Sequence, residues 1–448
     1  MTGITRARAS RLALLVATVG LALAPAPSRA ADLGGDCCAD LEQRVAELEA
    51  TTARKGNRKV SLTISGRVNY NLMWWDDRSA ALDADEPFDK HSDLAFGNTA
   101  NNETRFVLNG SANLTRDLSA GFQMTIWDDP ESATVQPSQI TSQGPPVTAV
   151  DTTYVFVKSI KWGEYRLGYL PSASDDAYYV DFGAPGTVGG LNGTRFVGSF
   201  RLRASNLPGE LTDVTYGHVL DELADSNAER LVYISPTWNG FTYKSDFGSN
   251  TSSLGLTWIG AAGTLRSAFG AGYQVSHGAS GVQLGGPGFQ PSASTAFVPL
   301  TDAAHDQLRQ LALSASVTET HTGLFLSGEY SRAYAAIAGR QDAINWYARA
   351  GWVKDITGIG ATTIDAQFER TDNKLANDTS AHLWGLGIDQ AIDSVAGNIY
   401  LHYQHDSFDS SGVVTAASSA SVPSDCLAVC TVDAQAIDSM TAGMVVNF

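Results

Sequence analysis

From Val60 onward the chain alternates. Val60, Leu62, Ile64, Val68, Tyr70, Leu72 and Trp74 share one parity, while Ser61, Thr63, Ser65, Arg67, Asn69 and Asn71 share the other. Period two is the mark of a strand with one apolar and one wet face. Here it runs over fifteen residues, against about 5–6 for an ordinary soluble strand. The pattern returns near 103–115, 117–128, 151–161, 164–171, 197–206, 228–237, 240–249 and 250–261. It continues near 264–277, 307–319, 321–336, 342–355, 358–373, 380–391, 394–408 and 434–448. A weaker segment at 210–219 brings the total to eighteen, and sixteen remain if that segment is loop and one other is miscounted.

The connections sort into two kinds. Tight turns are expected at 115–117, 161–163, 206–209, 237–240 and 261–263, whereas 76–102, 129–150, 172–196, 278–306 and 409–433 are long and polar. Short turns at one end and long loops at the other describe a transmembrane antiparallel β-barrel of 16–18 strands, with short periplasmic turns and long extracellular loops. The chain's end fits this. Met440, Ala442, Met444, Val446 and Phe448 alternate with Thr441, Gly443, Val445 and Asn447 up to the last residue. Taken alone, that segment reads equally as the edge strand of a soluble sandwich. With the strand census it reads as the strand that closes a barrel against the one beginning near Val60.

Composition adds an address. Arg6, Arg8 and Arg11, the apolar stretch 12–24 and the small-residue site Ser28-Arg29-Ala30 form a secretory signal over 1–30. Residues 31–59 are expected to be a periplasmic segment, and 60–448 the barrel. Removing the four arginines of the signal takes the net charge from −17 to −21, which argues against nucleic acid as a partner. After the signal there is no apolar run of about 18 residues, so any crossing of a membrane falls to strands. Within 31–59, Leu41, Val45 and Leu48 fall at the spacing of a coiled-coil seam, too short to stand outside an oligomer. Cys426 and Cys430 could staple one polar loop, and the adjacent Cys37 and Cys38 complete the cysteines. No histidine stands at ligand spacing beside either pair, so no metal and no cofactor are expected. Trp74, Trp75, Trp127, Trp162, Trp238, Trp346 and Trp352 fall towards strand ends, at the level where headgroups favour amphipathic rings.

The chain resembles the trimeric porins of alphaproteobacteria, general diffusion pores of the outer membrane. The block 37–62, beginning Cys37-Cys38-Ala39-Asp40-Leu41-Glu42, carries the resemblance most specifically. Trp74-Trp75-Asp76-Asp77, Leu118-Ser119-Ala120-Gly121-Phe122, the stretch 154–169 and the terminal Phe448 add to it. It implies a homotrimer in the outer membrane, a water-filled channel for small hydrophilic solutes and ions, and a loop folded into the bore. It also implies that Phe448 is an assembly signal. Gly168-Tyr169-Leu170-Pro171 departs from the family's wording before that loop, and this bears on selectivity rather than on fold.

Parity places Arg67, Arg105, Arg166, Arg201 and Arg203 on the wet face, because a charge facing lipid at the midplane costs about 2–4 kcal/mol. If loop 172–196 folds inward as the resemblance implies, Asp175, Asp176, Tyr178, Tyr179 and Asp181 face these arginines and make a constriction with a transverse field. Seven acidic residues of the first loop, from Asp76 to Asp93, lean the selectivity towards cations, while the arginines pull the other way. That loop lacks the spacing of a dedicated calcium site. Enzymatic chemistry finds no support. The eight histidines are dispersed, His402 and His405 project to opposite faces of one strand, and no nucleophile elbow is present. A barrel lipid hydrolase and a filled adhesive barrel remain the alternatives. The second would carry large inward side chains in place of small polar ones.

Overall fold

The computed structural model describes residues 60–78, 92–97, 103–129, 147–177, 200–203, 211–220, 227–248, 250–277, 307–375, 377–410 and 434–448. The putdown of strands begins with β1 (Ser61–Asp76), β2 (Ser92–Gly97), β3 (Arg105–Asn113), β4 (Leu118–Asp129), β5 (Val147–Ser159) and β6 (Gly163–Leu170). Then come β7 (Arg201–Arg203), β8 (Leu211–Thr215), β9 (Ala228–Ile234), β10 (Phe241–Gly248), β11 (Thr251–Ala262), β12 (Leu265–Ser276) and β13 (Leu308–Glu319). The last six are β14 (Leu324–Tyr334), β15 (Ala343–Asp355), β16 (Ala361–Asp372), β17 (Thr379–Ile392), β18 (Gly397–Ser410) and β19 (Ile437–Asn447).

Sixteen of these strands close an antiparallel ring. It runs β1, β3 to β6, and β9 to β19, and β19 returns to β1 with Val68 opposite Val446 and Trp74 opposite Met440. The closure expected of the final strand is therefore the seam of the barrel. Phe448 extends it: Gly66 N donates to Phe448 O (2.9 Å), Phe448 N donates to Gly66 O (3.0 Å), and the two rings of Phe106 and Phe448 lie 5.5 Å apart.

Eighteen segments were expected and sixteen form the wall. The two extra segments, 197–206 and 210–219, contain β7 and β8, which pair only with each other in a separate two-stranded sheet. Strand β2, inside the first long connection, belongs to the large sheet but pairs only with the upper half of β1, from Asn71 to Asp76. Below it, β3 takes the same side of β1 from Ser61 to Arg67.

The pairing fixes which face each residue takes, since residues directly opposite share a face. Outward positions are apolar along mid-strand, as in Leu254 and Leu256 of β11, Leu324 and Leu326 of β14, Leu386 and Ile388 of β17, and Ile399 and Leu401 of β18, all solvent-exposed in the single chain. Outward ionic groups lie at strand ends: Arg332 with Asp342, Arg370 with Asp372 (2.8 Å), and Asp438 with His405 (2.8 Å) and Arg78 (2.5 Å). This is the apolar belt of a lipid-facing barrel. The short-turn end is closed tightly. At Trp238-Asn239-Gly240-Phe241, Trp238 and Phe241 exchange both backbone hydrogen bonds at 2.9 Å, with φ of 51° at Asn239 and 87° at Gly240. Only an Asn-Gly type of pair accepts two positive φ values in so short a hairpin. At the opposite end most connections are longer, but β10–β11 needs only residues 249 and 250 and β16–β17 only 373–378.

Candidate constriction and lumen wall

The inner wall changes character around the ring. On β11 to β13 the inward positions towards the long-loop end are small or neutral: Ser253, Gly255, Thr257, Gly270, Gly272, Gln274, Gln310, Ala312 and Ser314, while Arg266 takes an inward position near the short-turn end. Against this sector lies the start of the long β6–β9 connection, including a 3-10 turn at Asp175–Ala177. Ala173 N donates to Asp246 Oδ2 (2.5 Å), Ser174 N to Ser253 Oγ (3.1 Å), Ser174 Oγ to Gln274 Oε1 (3.2 Å) and Ser314 Oγ to Ala177 O (2.5 Å). Asp246 also accepts from Ser253 Oγ and pairs with Arg230 (3.5 Å).

Glycine makes this docking possible. A Cβ on Gly255 would stand 2.0 Å from Ala173 O, and one on Gly272 would stand 2.9 Å from the Cβ atoms of Ser174 and Ala177. The segment 171–177 therefore lies against the inner face of the wall, in contact with lumen-facing residues of four strands.

A later part of the same connection docks on a different sector. Phe200, Leu202, Tyr216, Val219 and Leu220 pack with Met73 and Trp75 of β1, Ala95 of β2, Leu383 of β17, Tyr400 and Phe408 of β18, and Ile437 of β19. All these wall residues take inward positions, and Trp75 meets Phe200 edge to face at 5.3 Å. Polar contacts seat the ends. Arg203 Nε donates to Asp77 Oδ2 (2.7 Å), with both side chains buried. Lys374 Nζ donates to Gly217 O (3.1 Å) and Leu220 O (2.9 Å), at the end of the helical turn Tyr216–Val219 where carbonyls lack intrahelical partners. Tyr216 Oη donates to Gln435 O (2.8 Å). Burial pushes the Tyr216 hydroxyl well above its ordinary pKa, so it stays protonated as the donor.

The expected basic residues separate accordingly. Arg67, Arg105 and Arg166 stand on inward positions of β1, β3 and β6. Arg201 and Arg203 do not stand on the wall: they belong to β7, and Arg203 is buried in its pair with Asp77. Of the expected loop residues, Asp175 lies in the docked turn and the backbone of Asp176 follows it. Tyr178, Tyr179, Asp181, Cys426, Cys430, the signal and the seam at Leu41, Val45 and Leu48 lie outside the described residues. His402 points inward and is buried, while His405 points outward to Asp438, as their spacing requires.

Charges missed in the sequence reading complete the wall. Inward positions also carry Lys158 on β5, Glu164 on β6, Arg230 on β9, and Lys244 and Asp246 on β10. Further round the ring, β14 to β18 carry Glu329, Arg349, Asp365, Glu369, Asp389 and Asp406, all buried. Arg349 pairs with Asp365 (3.0 Å), Asn345 donates to Glu369 (2.8 Å), Asn398 to Asp389 (2.6 Å) and Gln404 to Asp406 (2.9 Å). Strand pairing could have assigned these to the lumen, had the register been known.

A closed sixteen-strand ring with an apolar belt, a charged inner wall and a connection folded inward defines an outer-membrane diffusion channel. The model of the Gram-negative porin family matches residues 13–411, and the chain belongs to that family. No curated protein matches the sequence. Among solved structures, the chain is similar to OmpT, an outer membrane protein of Vibrio cholerae, at 13% identity and TM-score 0.52, covering 88% of this chain and 100% of that one. It is similar to an anion-selective porin from Comamonas acidovorans at 14% identity and TM-score 0.52, covering 87% and 100%. The outer membrane channel DcaP of Acinetobacter baumannii gives 9% identity and TM-score 0.50 over 88% and 99%. At such identities these likenesses speak for the fold. The protein resides in the outer membrane.

Proposed function

We propose that the chain forms a passive, non-enzymatic pore for small hydrophilic solutes and ions, narrowed by its β6–β9 connection and working as a homotrimer. The observation that carries this reading is the docking of 171–177 on the lumen face, with Gly255 and Gly272 kept bare beneath it. Arg67, Arg105 and Arg166 supply the cationic side of the narrowing, and Asp175, Asp176, Tyr178, Tyr179 and Asp181 are its proposed loop side. Arg203 serves instead to anchor the connection through Asp77, and Arg201 lies on β7 within it. Phe448, bonded to Gly66 at the seam, is the proposed assembly signal, and Cys426 and Cys430 a proposed staple of the last long loop. Large apolar side chains fill one sector of the bore, as an adhesive barrel would require. The small polar sector of β11 to β13 favours a conduit over a filled cylinder.

Swelling of liposomes containing the protein tests the reading. Uptake should fall steeply as the sugar offered grows from a monosaccharide to a trisaccharide. Liposomes that take up none of the sugars would contradict a pore, and equal rates for all sizes would contradict the constriction.

A further inference from the structure

Two carboxylates on the lumen wall each hold a pair of cations. Glu103, just before β3, takes Arg67 Nη2 (3.1 Å) on one oxygen and Arg105 Nη1 (3.1 Å) on the other. Glu164 takes Arg166 Nε (2.6 Å) on one oxygen and Lys158 Nζ (3.4 Å) on the other. Each cluster is two positive groups on one negative group, and exposure is divided unevenly within it. The side chains of Glu103 and Glu164 are 7% and 12% exposed, whereas Arg105, Arg166 and Lys158 are 37%, 31% and 60% exposed. Arg67 is 16% exposed and sits back with Glu103, so Arg105 in the first cluster and Arg166 and Lys158 in the second are the groups that face the water. In the second cluster Arg166 also lies over the Tyr154 ring, 5.0 Å from its centre, and Tyr154 Oη is held by Gln123 (3.1 Å).

Among the described residues the remaining charges do not cancel this: of the other exposed inward groups, Arg266 on β12 and Asp355 on β15 are one of each sign. Lys244 and Arg230 add positive groups to the same side of the ring, against Asp246 and the loop's Asp175. The wall from β14 to β18 is rich in carboxylates, but Glu329, Asp365, Glu369, Asp389 and Asp406 are all at most 5% exposed. Asp365 is paired with Arg349, and Glu369, Asp389 and Asp406 accept from neighbouring side-chain amides. A permeating ion meets the exposed groups first, and charges beyond about 10 Å are largely screened at 0.1 M salt. The acidic balance of the whole chain then says little about the bore.

We infer that the channel prefers anions, and that the clusters at Glu103 and Glu164 are successive binding steps for small oxyanions such as carboxylates. This rests on the pore reading and reverses the cation preference suggested by the acidic first loop. A guanidinium whose Nη groups face water presents a fork that matches a carboxylate, and the seated acid fixes that fork without neutralising both cations.

The test is the zero-current potential of planar bilayers holding the full protein across a tenfold gradient of KCl, repeated with potassium acetate. The wild type should show the anion as the more permeant ion in both salts. Arg105→Gln with Lys158→Gln, which leaves each carboxylate one cation, should move the potential towards the cation side. Arg370→Gln, on the outer face, should leave it where it was. A conducting wild type that prefers potassium overturns the inference and leaves the pore reading intact, as does a double variant that conducts with an unshifted potential. A wild type that never conducts overturns the pore reading itself. Should the double variant fail to insert, the wild-type potential decides alone.

Discussion

Arg203 illustrates how far a residue's role can depart from its parity. It sits in an alternating segment and has the charge of a pore residue, yet it is buried against Asp77. A buried pair stabilises little over an apolar isostere, but losing one partner strands the other charge. Arg203→Ala should therefore destabilise the protein by about 3–5 kcal/mol, whereas Arg203→Met with Asp77→Leu should recover most of the loss. Thermal unfolding in detergent, followed by circular dichroism, reads both. Equal midpoints for Arg203→Ala and the wild type would show that the pair holds nothing. Trp75 carries a related lesson. Leu72, Met73, Trp74 and Trp75 are apolar on both parities, which is the sequence form of a strand covered on both faces. Lipid covers one face and the connection's Phe200 the other.

Among the elements, the β6–β9 connection decides the width of the bore. Its first part docks by backbone and small side chains onto bare glycines, and its second by apolar burial beside β1 and β19. Gly255→Ala would drive a methyl group into Ala173 O, too close for any rotamer to relieve, so the segment must move off the wall. Single-channel conductance should change from the wild-type value while the barrel still inserts, and an unchanged conductance would show that 171–177 does not bound the open path. This scale was only partly legible in the sequence. Wall strands were readable because lipid demands an unbroken apolar face, and β1, β11 and β17 carry that signal in every second residue. Segments 197–206 and 210–219 carry the same alternation for another reason: β7 and the helical turn bury Leu202, Tyr216 and Val219 against the inner wall. Period two reports two unlike faces and does not say which sheet a strand joins. Strand β2 escaped notice because six residues inside a polar connection are too few for the pattern to stand out.

At the scale of the molecule, closure, belt and lumen follow from a single rule applied sixteen times, with apolar residues out and polar residues in. The inward arginines at 67, 105 and 166 were readable by that rule. Their carboxylate seats at Glu103 and Glu164 were not, since they depend on register between strands and on a residue just beyond a strand's end. The proposed trimer belongs to this scale as well, because each subunit would carry its own bore. Planar-bilayer recording of the purified protein tests the whole account most directly. It should give stable, ohmic current steps, each closing through three equal sublevels. A barrel that inserts and remains electrically silent would contradict the channel, and steps that close in one undivided event would contradict three bores per particle.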